Sequence, residues 1–370
     1  MRYLIICGGT GGHLSPGLAT AAALRERQGE CRLVVSHRKV DTVLLQKYPE
    51  LEFEAVPGAA LSMRPDRFLR SFPAHLGNLR ASLRLVRSFK PQVILAFGGY
   101  LSLGAVVASF VRGPALALHE ANRIPGKAIR ILSRFADRVY LPEGVDLGGR
   151  MGKKIRSCGY PVRSEFRVLD QGMARRKLGI PVEGRLLVVL GGSQGAQALN
   201  DWAHRYRRAL GERGIHLVVV CGLGKIRGEE TQPGEAATRT TLFRQIEFSD
   251  QMEYLLNAAD LVVSRAGAGT LAELVRCQTP AILIPYPHAA DGHQEANAID
   301  HVAHGGGNWY REGQEEEIFA RVSELLEGGE ELRGMKERLR LRDARNSDES
   351  FLIDLEAMAM ERAKQKGRPA

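Results

Sequence analysis

No apolar run in this chain reaches the about 18 residues that a membrane-spanning helix needs, so the sequence predicts no transmembrane segment. Aromatic residues are only 6% of the composition, and no nucleic-acid-binding motif occurs. For so basic a chain, both absences argue against nucleic acid as the partner. Cysteine is sparse: Cys7, Cys31, Cys158, Cys221 and Cys277 are scattered, odd in number and without CxxC or metal-ligand spacing. They read as reduced thiols of a cytoplasmic protein, with neither a disulfide framework nor a metal site. The N-terminus is a short strand candidate with one arginine and no signal-peptide pattern. An acidic residue is also missing where a nicotinamide cofactor would need one. The second strand ends in Ser36-His37-Arg38-Lys39, and G-x-G-x-x-G counted from Gly9 puts Leu14 in the last glycine position. A nicotinamide oxidoreductase is therefore disfavoured.

What is present is charge asymmetry and glycine. Residues 1–163 hold 25 Lys+Arg against 11 Asp+Glu, a net of +14, while the rest of the chain nets −4. The first half should seek an anionic partner: nucleic acid, a phospholipid surface or a pyrophosphate-bearing substrate. Gly8-Gly9-Thr10-Gly11-Gly12-His13 follows the apolar run Tyr3–Cys7, and Gly191-Gly192-Ser193-Gln194-Gly195 follows Leu186–Leu190. A strand that ends in glycines lets backbone N–H groups approach an anion, and the next helix aims its positive end at the same spot. Two such units half a chain apart predict two similar α/β domains facing one cleft, a length of 370 residues being ample for two cores.

The first half alternates strand candidates (3–7, 31–36, 51–56, 92–96, 115–119, 137–140) with helical stretches. One such helix is Pro16–Arg27, with Ser15 as its N-cap and Pro16 at the first helical position. The pattern restarts near Gly159-Tyr160-Pro161-Val162-Arg163, the expected hinge. Strands 186–190, 217–220, 244–247, 261–264 and 281–285 follow, then charged helices from Glu315 onward. Alternation of this kind predicts parallel sheets covered by helices on both faces, with ligands outside the carboxyl ends of the strands. The tail Lys364–Ala370 reads as disordered.

At those ends lie the polar motifs. His13 sits at the lip of the first glycine turn, where a neutral imidazole could take a proton from a hydroxyl nucleophile; the bland alternative is a tight turn without a ligand. Gly98-Gly99-Tyr100 ends another strand. His119, Glu120 and Asn122 offer polar groups nearby, Glu120 being a second candidate base and Asn122 alternatively a helix cap. In the second half, Ser193 could bond a phosphate. Arg265-Ala266-Gly267-Ala268-Gly269-Thr270 opens a helix whose amides suit an anion, and Arg265 could offset charge on a leaving diphosphate. Glu273 could accept both hydroxyls of a ribose, or simply favour a helix N-terminus. The segment His288–Asn297 looks like a sugar-hydroxyl reader rather than a metal site.

The stretch 61–90 stands apart. Leu61, Met63, Phe68, Leu69 and Phe72 interleave with Arg64, Arg67 and Arg70 in what reads as a loop before Pro73. A helix then carries Leu76, Leu79, Leu83 and Val86 on one stripe, which is core by its periodicity. The mixture ahead of Pro73 suits an interface with anionic lipid.

In order along the chain, Gly8–Gly17, Gly98–Tyr100, His119–Asn122, Gly159–Arg163, Gly191–Ala196 and His293–Asn297 form a set that is specific as a whole. The chain resembles, nearly end to end, the bacterial undecaprenyldiphospho-muramoylpentapeptide β-N-acetylglucosaminyltransferases of glycosyltransferase family 28. The resemblance implies a GT-B fold: a Rossmann-like domain over 1–162 that takes the acceptor and faces the membrane, a UDP-sugar domain over 163–346, and a helix over 347–363 crossing back to the first. It matches Ser193 and Arg265 with diphosphate-side positions and Glu273 with the ribose-binding acid. Ser249 matches the position beside uracil, and Gln294 a donor-sugar reader. Ala268, Gly269, Thr270 and Leu271, with Ala272, match the backbone around the diphosphate. Thr10, Gly11, Gly12, Asn122 and Arg163 match cleft-lining positions, and His13 the favoured base. The chain departs from the family pattern at Ala121, Gly269 and His293.

The activity implied is inverting transfer of N-acetylglucosamine from UDP-GlcNAc to the 4-hydroxyl of undecaprenyl-pyrophosphoryl-MurNAc-pentapeptide, on the cytoplasmic face of the plasma membrane and with no cofactor. Two rivals stand beside it: a UDP-GlcNAc 2-epimerase, which needs no lipid acceptor, and a non-catalytic membrane adaptor that binds the nucleotide sugar without transfer.

Overall fold

The computed structural model describes residues 1–8, 11–37, 44–56, 65–148, 152–192, 195–226, 241–346 and 348–365. Thr10, Met63, Arg64 and Ser193 lie outside this set. The chain divides into two compact units, residues 1–163 with 346–370, and residues 164–345.

The first unit is built from β1 (Arg2–Ile6), α1 (Gly11–Glu26), β2 (Glu30–Val35), β3 (Glu52–Ala55), α2 (Pro65–Phe89), β4 (Val93–Ala96), α3 (Ser102–Arg112), β5 (Ala115–His119), α4 (Lys127–Leu132), β6 (Arg138–Leu141) and β7 (Ile155–Ser157). Its sheet is all parallel, in the order β3-β2-β1-β4-β5-β6-β7. The central strands β1, β4 and β5 read as near-continuous apolar runs because helices cover both faces. Alternation then splits them between two cores. Tyr3, Ile5, Leu33 and Leu95 face α1 residues Leu14, Leu18 and Leu24. Leu4, Ile6, Val34 and Ile94 face Leu85 and Phe89 of α2 and Ala105 of α3.

The second unit runs α5 (Gln171–Lys177), β8 (Arg185–Leu190), α6 (Gln197–Glu212), β9 (Ile215–Val220), β10 (Phe243–Ile246), α7 (Met252–Ala258), β11 (Leu261–Ser264), α8 (Ala268–Arg276), β12 (Ala281–Leu283), α9 (His293–Ala303), β13 (Gly307–Trp309), α10 (Glu315–Gly328) and α11 (Glu330–Asp343). Its parallel sheet, β10-β9-β8-β11-β12-β13, repeats the strand order of the first. At one edge of the core, Asp260 accepts from Arg175 Nη2 at 2.6 Å, Arg185 Nη1 at 3.2 Å and the Leu186 amide at 2.8 Å.

The last helix, α12 (Glu349–Gln365), packs on the first unit, which is why residues from 346 onward cluster there. Phe351 lies edge-on to Tyr140 with ring centroids 4.7 Å apart, and Tyr140 Oη donates to Asp354 at 2.7 Å. Arg27, in the turn just after α1, pairs with both Glu349 and Glu356 at 3.0 Å. Lys364 belongs to this helix rather than to a disordered tail, and residues 366–370 lie outside the described set.

Two helix starts differ from the sequence expectation. α1 begins at Gly11, so Ser15 is not its N-cap and Pro16 sits inside the helix. α2 begins at Pro65 and contains Pro73, so the expected loop of residues 61–72 is helical from 65 onward. In both, proline keeps its helical φ while the helix gives up one backbone bond. Among the described residues no helix is long and apolar enough to cross a membrane.

Candidate functional site

Each sheet reverses its winding between two central strands, β1 and β4 in the first unit and β8 and β11 in the second. The crevice at such a switch point is where open α/β sheets take ligands. The glycine turns predicted from sequence stand there because only glycine fits. A Cβ on Gly8 would run into the Ser36 amide and the Val35 carbonyl carbon. Gly98 and Gly99 have φ of +89° and +74°, the left-handed region that glycine enters without penalty.

His13, in the first turn of α1, bridges the first switch point. Its ring lies over the Gly98–Gly99 turn so closely that a Cβ on Gly99 would stand 3.2 Å from Nδ1 and Cε1. The glycine pair at the end of β4 is thus the seat of the imidazole. His13 is half-buried and Gly12 is exposed.

Glu120 directly follows β5. Its buried carboxylate accepts from the Ala121 and Asn122 amides at 2.9 Å and from Asn122 Nδ2 at 2.8 Å through Oε1, and from the Gly126 amide at 2.8 Å through Oε2. It organises the loop between β5 and α4 and orients Asn122. His119, expected to offer a polar group to the ligand, is instead a core residue, 2% exposed. Its ring packs on Phe97 and Phe351, and Nε2 lies 3.3 Å from the Gly159 carbonyl. Desolvation pushes its pKa down to about 4, so it stays neutral. Arg163 is buried, with Nη1 at 3.5 Å from Tyr48 Oη.

At the second switch point α8 follows Gly267 as its N-cap, with no side-chain cap and no acidic residue in its first turn. Ala268, Gly269 and Thr270 are half-buried, whereas Leu271 turns into the core. Asn297 of α9 donates to the Ala266 carbonyl at 3.1 Å and holds the approach to the helix. Arg265 is nearly buried: Nη1 donates to the Ile284 carbonyl at 3.1 Å and pairs with Glu312 at 2.9 Å, and the guanidinium lies 5.5 Å from the Tyr286 ring centroid. Gln294 accepts from the Tyr286 amide at 2.9 Å, which locks its amide group in one orientation. The Ser249 hydroxyl accepts from the Gln251 amide at 3.1 Å just before α7. Glu273 and Ala272 are half-buried on α8. His293 Nδ1 lies 2.7 Å from the Ala290 carbonyl. Among the described residues no three His, Cys, Asp or Glu side chains converge as metal ligands would.

Two residues here escaped the sequence reading. Glu312, the partner of Arg265, follows β13, a strand with no sequence signal. Tyr160 donates to the Gly12 carbonyl at 3.3 Å. The clue to it was Pro16: a proline inside a helix frees the carbonyl four residues earlier.

Residues 3–141 match the glycosyltransferase family 28 N-terminal domain and residues 186–350 the family 28 C-terminal domain. A UDP-N-acetylglucosamine–N-acetylmuramyl-(pentapeptide) pyrophosphoryl-undecaprenol N-acetylglucosamine transferase of Opitutus terrae is 48% identical, over 96% of this chain and 94% of its own length. The crystal structure of MurG from Acinetobacter baumannii superposes with a TM-score of 0.66 at 22% identity, over 92% of this chain and 94% of that one. A UDP-GlcNAc 2-epimerase from Neisseria meningitidis also superposes, with a TM-score of 0.61 at 14% identity over 91% and 94% of the two chains. The fold alone therefore does not separate transfer from epimerisation, but sequence does. The chain belongs to glycosyltransferase family 28 and, within it, to the family of the Opitutus terrae transferase.

Proposed function

We propose that this protein transfers N-acetylglucosamine from UDP-GlcNAc to the 4-hydroxyl of undecaprenyl-pyrophosphoryl-MurNAc-pentapeptide, with inversion. The end-to-end likeness to the Opitutus terrae transferase carries this reading. The site geometry supports it. His13 is the base: it is accessible and held at a switch point, whereas the Glu120 oxygens are taken up by four donors within their own loop. The uncapped first turn of α8 receives the diphosphate through its amides, with Arg265 just ahead of it in the chain; Ser193, outside the described residues, is assigned to the diphosphate by the family resemblance alone. Glu273, Ser249 and Gln294 read ribose, uracil and donor sugar.

The acceptor brings a lipid pyrophosphate, and the charge of residues 1–163 suits it. An inner-leaflet docking face draws support from an apolar patch on the first unit. Phe110 and Val111 of α3, with Ile131 and Phe135 at the end of α4 and just beyond, are each at least 50% exposed. The Phe110 and Phe135 rings meet edge-on at 5.5 Å, and exposed Arg130 and Arg134 flank them. Aromatic and cationic groups together suit the headgroup layer. The side chains of Arg67, Phe68, Leu69, Arg70 and Phe72 lie outside the described set and add nothing to this argument.

The test is incubation with radiolabelled UDP-GlcNAc, with and without a short-chain lipid acceptor. A β-1,4-linked disaccharide lipid that forms only with acceptor is the expected product. Epimerised donor from UDP-GlcNAc alone would move the assignment to the 2-epimerase reading, and bound donor without any product to the adaptor reading.

A further inference from the structure

We infer that Tyr160 is a positioning residue for His13. Pro16 lies inside α1 and has no amide hydrogen, so the Gly12 carbonyl loses its partner in the helix. The Tyr160 hydroxyl donates to that carbonyl at 3.3 Å and replaces the missing bond. Gly12 immediately precedes His13, so the bond fixes the turn that aims the imidazole across Gly98–Gly99.

Tyr160 can do this because its own backbone is tied down. The preceding Gly159 carbonyl meets His119 Nε2 at 3.3 Å and the Cys158 thiol at 2.9 Å. The Tyr160 carbonyl accepts from Asn346 Nδ2 at 3.5 Å. A strand end, the expected hinge segment and the residue leading into α12 thus converge on one tyrosine. Its ring reaches back to the first turn of α1, 148 residues earlier in sequence.

The inference rests on His13 acting as the base, and the experiment separates the two. Tyr160→Phe keeps the ring and removes the hydroxyl. It should lower kcat about five- to ten-fold, as loss of one bond in a catalytic turn does, with the KM for UDP-GlcNAc unchanged. Adding Pro16→Ala restores an amide hydrogen four residues after Gly12 and should recover most of kcat. A merely structural tyrosine would not be rescued by that amide. In a His13→Ala background, Tyr160→Phe should cost nothing further. Wild-type kcat in Tyr160→Phe while His13→Ala is inactive would overturn the positioning role alone, and so would a loss that Pro16→Ala does not repair. Unchanged turnover in His13→Ala would overturn the base itself.

Discussion

Glu120→Gln separates a loop-organising carboxylate from a catalytic one. The glutamine carbonyl can keep the three donors that reach Oε1, but its NH2 would face the Gly126 amide that Oε2 now accepts at 2.8 Å. One charge-assisted bond is lost and a buried N–H is left opposite a second donor, while the other three bonds weaken. The expected cost is about 3 kcal/mol. With a urea slope of about 2–3 kcal/mol per molar for a unit of this size, the midpoint should fall by about 1 M. Circular dichroism reads the loss. Both tryptophans, Trp202 and Trp309, lie in the second unit, so their fluorescence supplies an internal control. Turnover should fall only modestly, through Asn122, and the pH profile should keep its shape. A variant with wild-type stability and turnover down about a thousand-fold, the loss expected of a missing general base, would refute this reasoning and make Glu120 the base.

Three further outcomes follow from burial. All five cysteines are buried, and desolvation raises the Cys31 thiol to about 12 and pushes Cys158, Cys221 and Cys277 upward too. An aromatic disulfide reagent at pH 8 should therefore titrate no thiol in the native protein and five in urea; a stoichiometric native reaction would show that a thiol is accessible. Asp260→Ala leaves Arg175, whose side chain is 3% exposed, without its carboxylate. It should cost about 3–5 kcal/mol, read by tryptophan fluorescence in urea, and a loss below 1 kcal/mol would mean that the pair is solvated. His119 and His301 are buried and neutral, with pKa values lowered from 6.5 to about 4. The unfolded chain binds protons that the native one refuses, so stability is full above pH 6.5 and falls as pH drops towards 4. His301→Leu should flatten that slope in urea midpoints measured between pH 7 and 4.5; an unaltered slope would remove His301 from the account.

The doubly wound class, the central strands and the glycine turns could be read from sequence because their cause is local: apolar runs of strand length, each ending in residues that permit close backbone approach. β5 and β11 have the boundaries that the apolar runs predict. The two strands without a signal, β7 and β13, are three-residue edge strands. With one neighbour each, they need little apolar patterning, so tertiary pairing rather than composition makes them strands. The start of α1 differs from the sequence expectation for a related reason, since a proline is tolerated inside a helix where another donor satisfies the carbonyl it frees. Here a tyrosine distant in sequence does so for α1.

Residue chemistry is therefore set by the chain, and residue surroundings by distance. The sequence by itself determined that imidazole, carboxylate and guanidinium groups stand at the ends of parallel strands, because strand and turn propensities act over a few neighbouring residues. Only the tertiary structure decided which of them are already engaged. Glu120 is held by its own loop, His119 sits among aromatic rings, Arg265 is paired with Glu312, and His13 rests on a pair of glycines. A hydrogen bond or an ion pair is decided over about 3 Å in space, a length that separation along the chain does not encode.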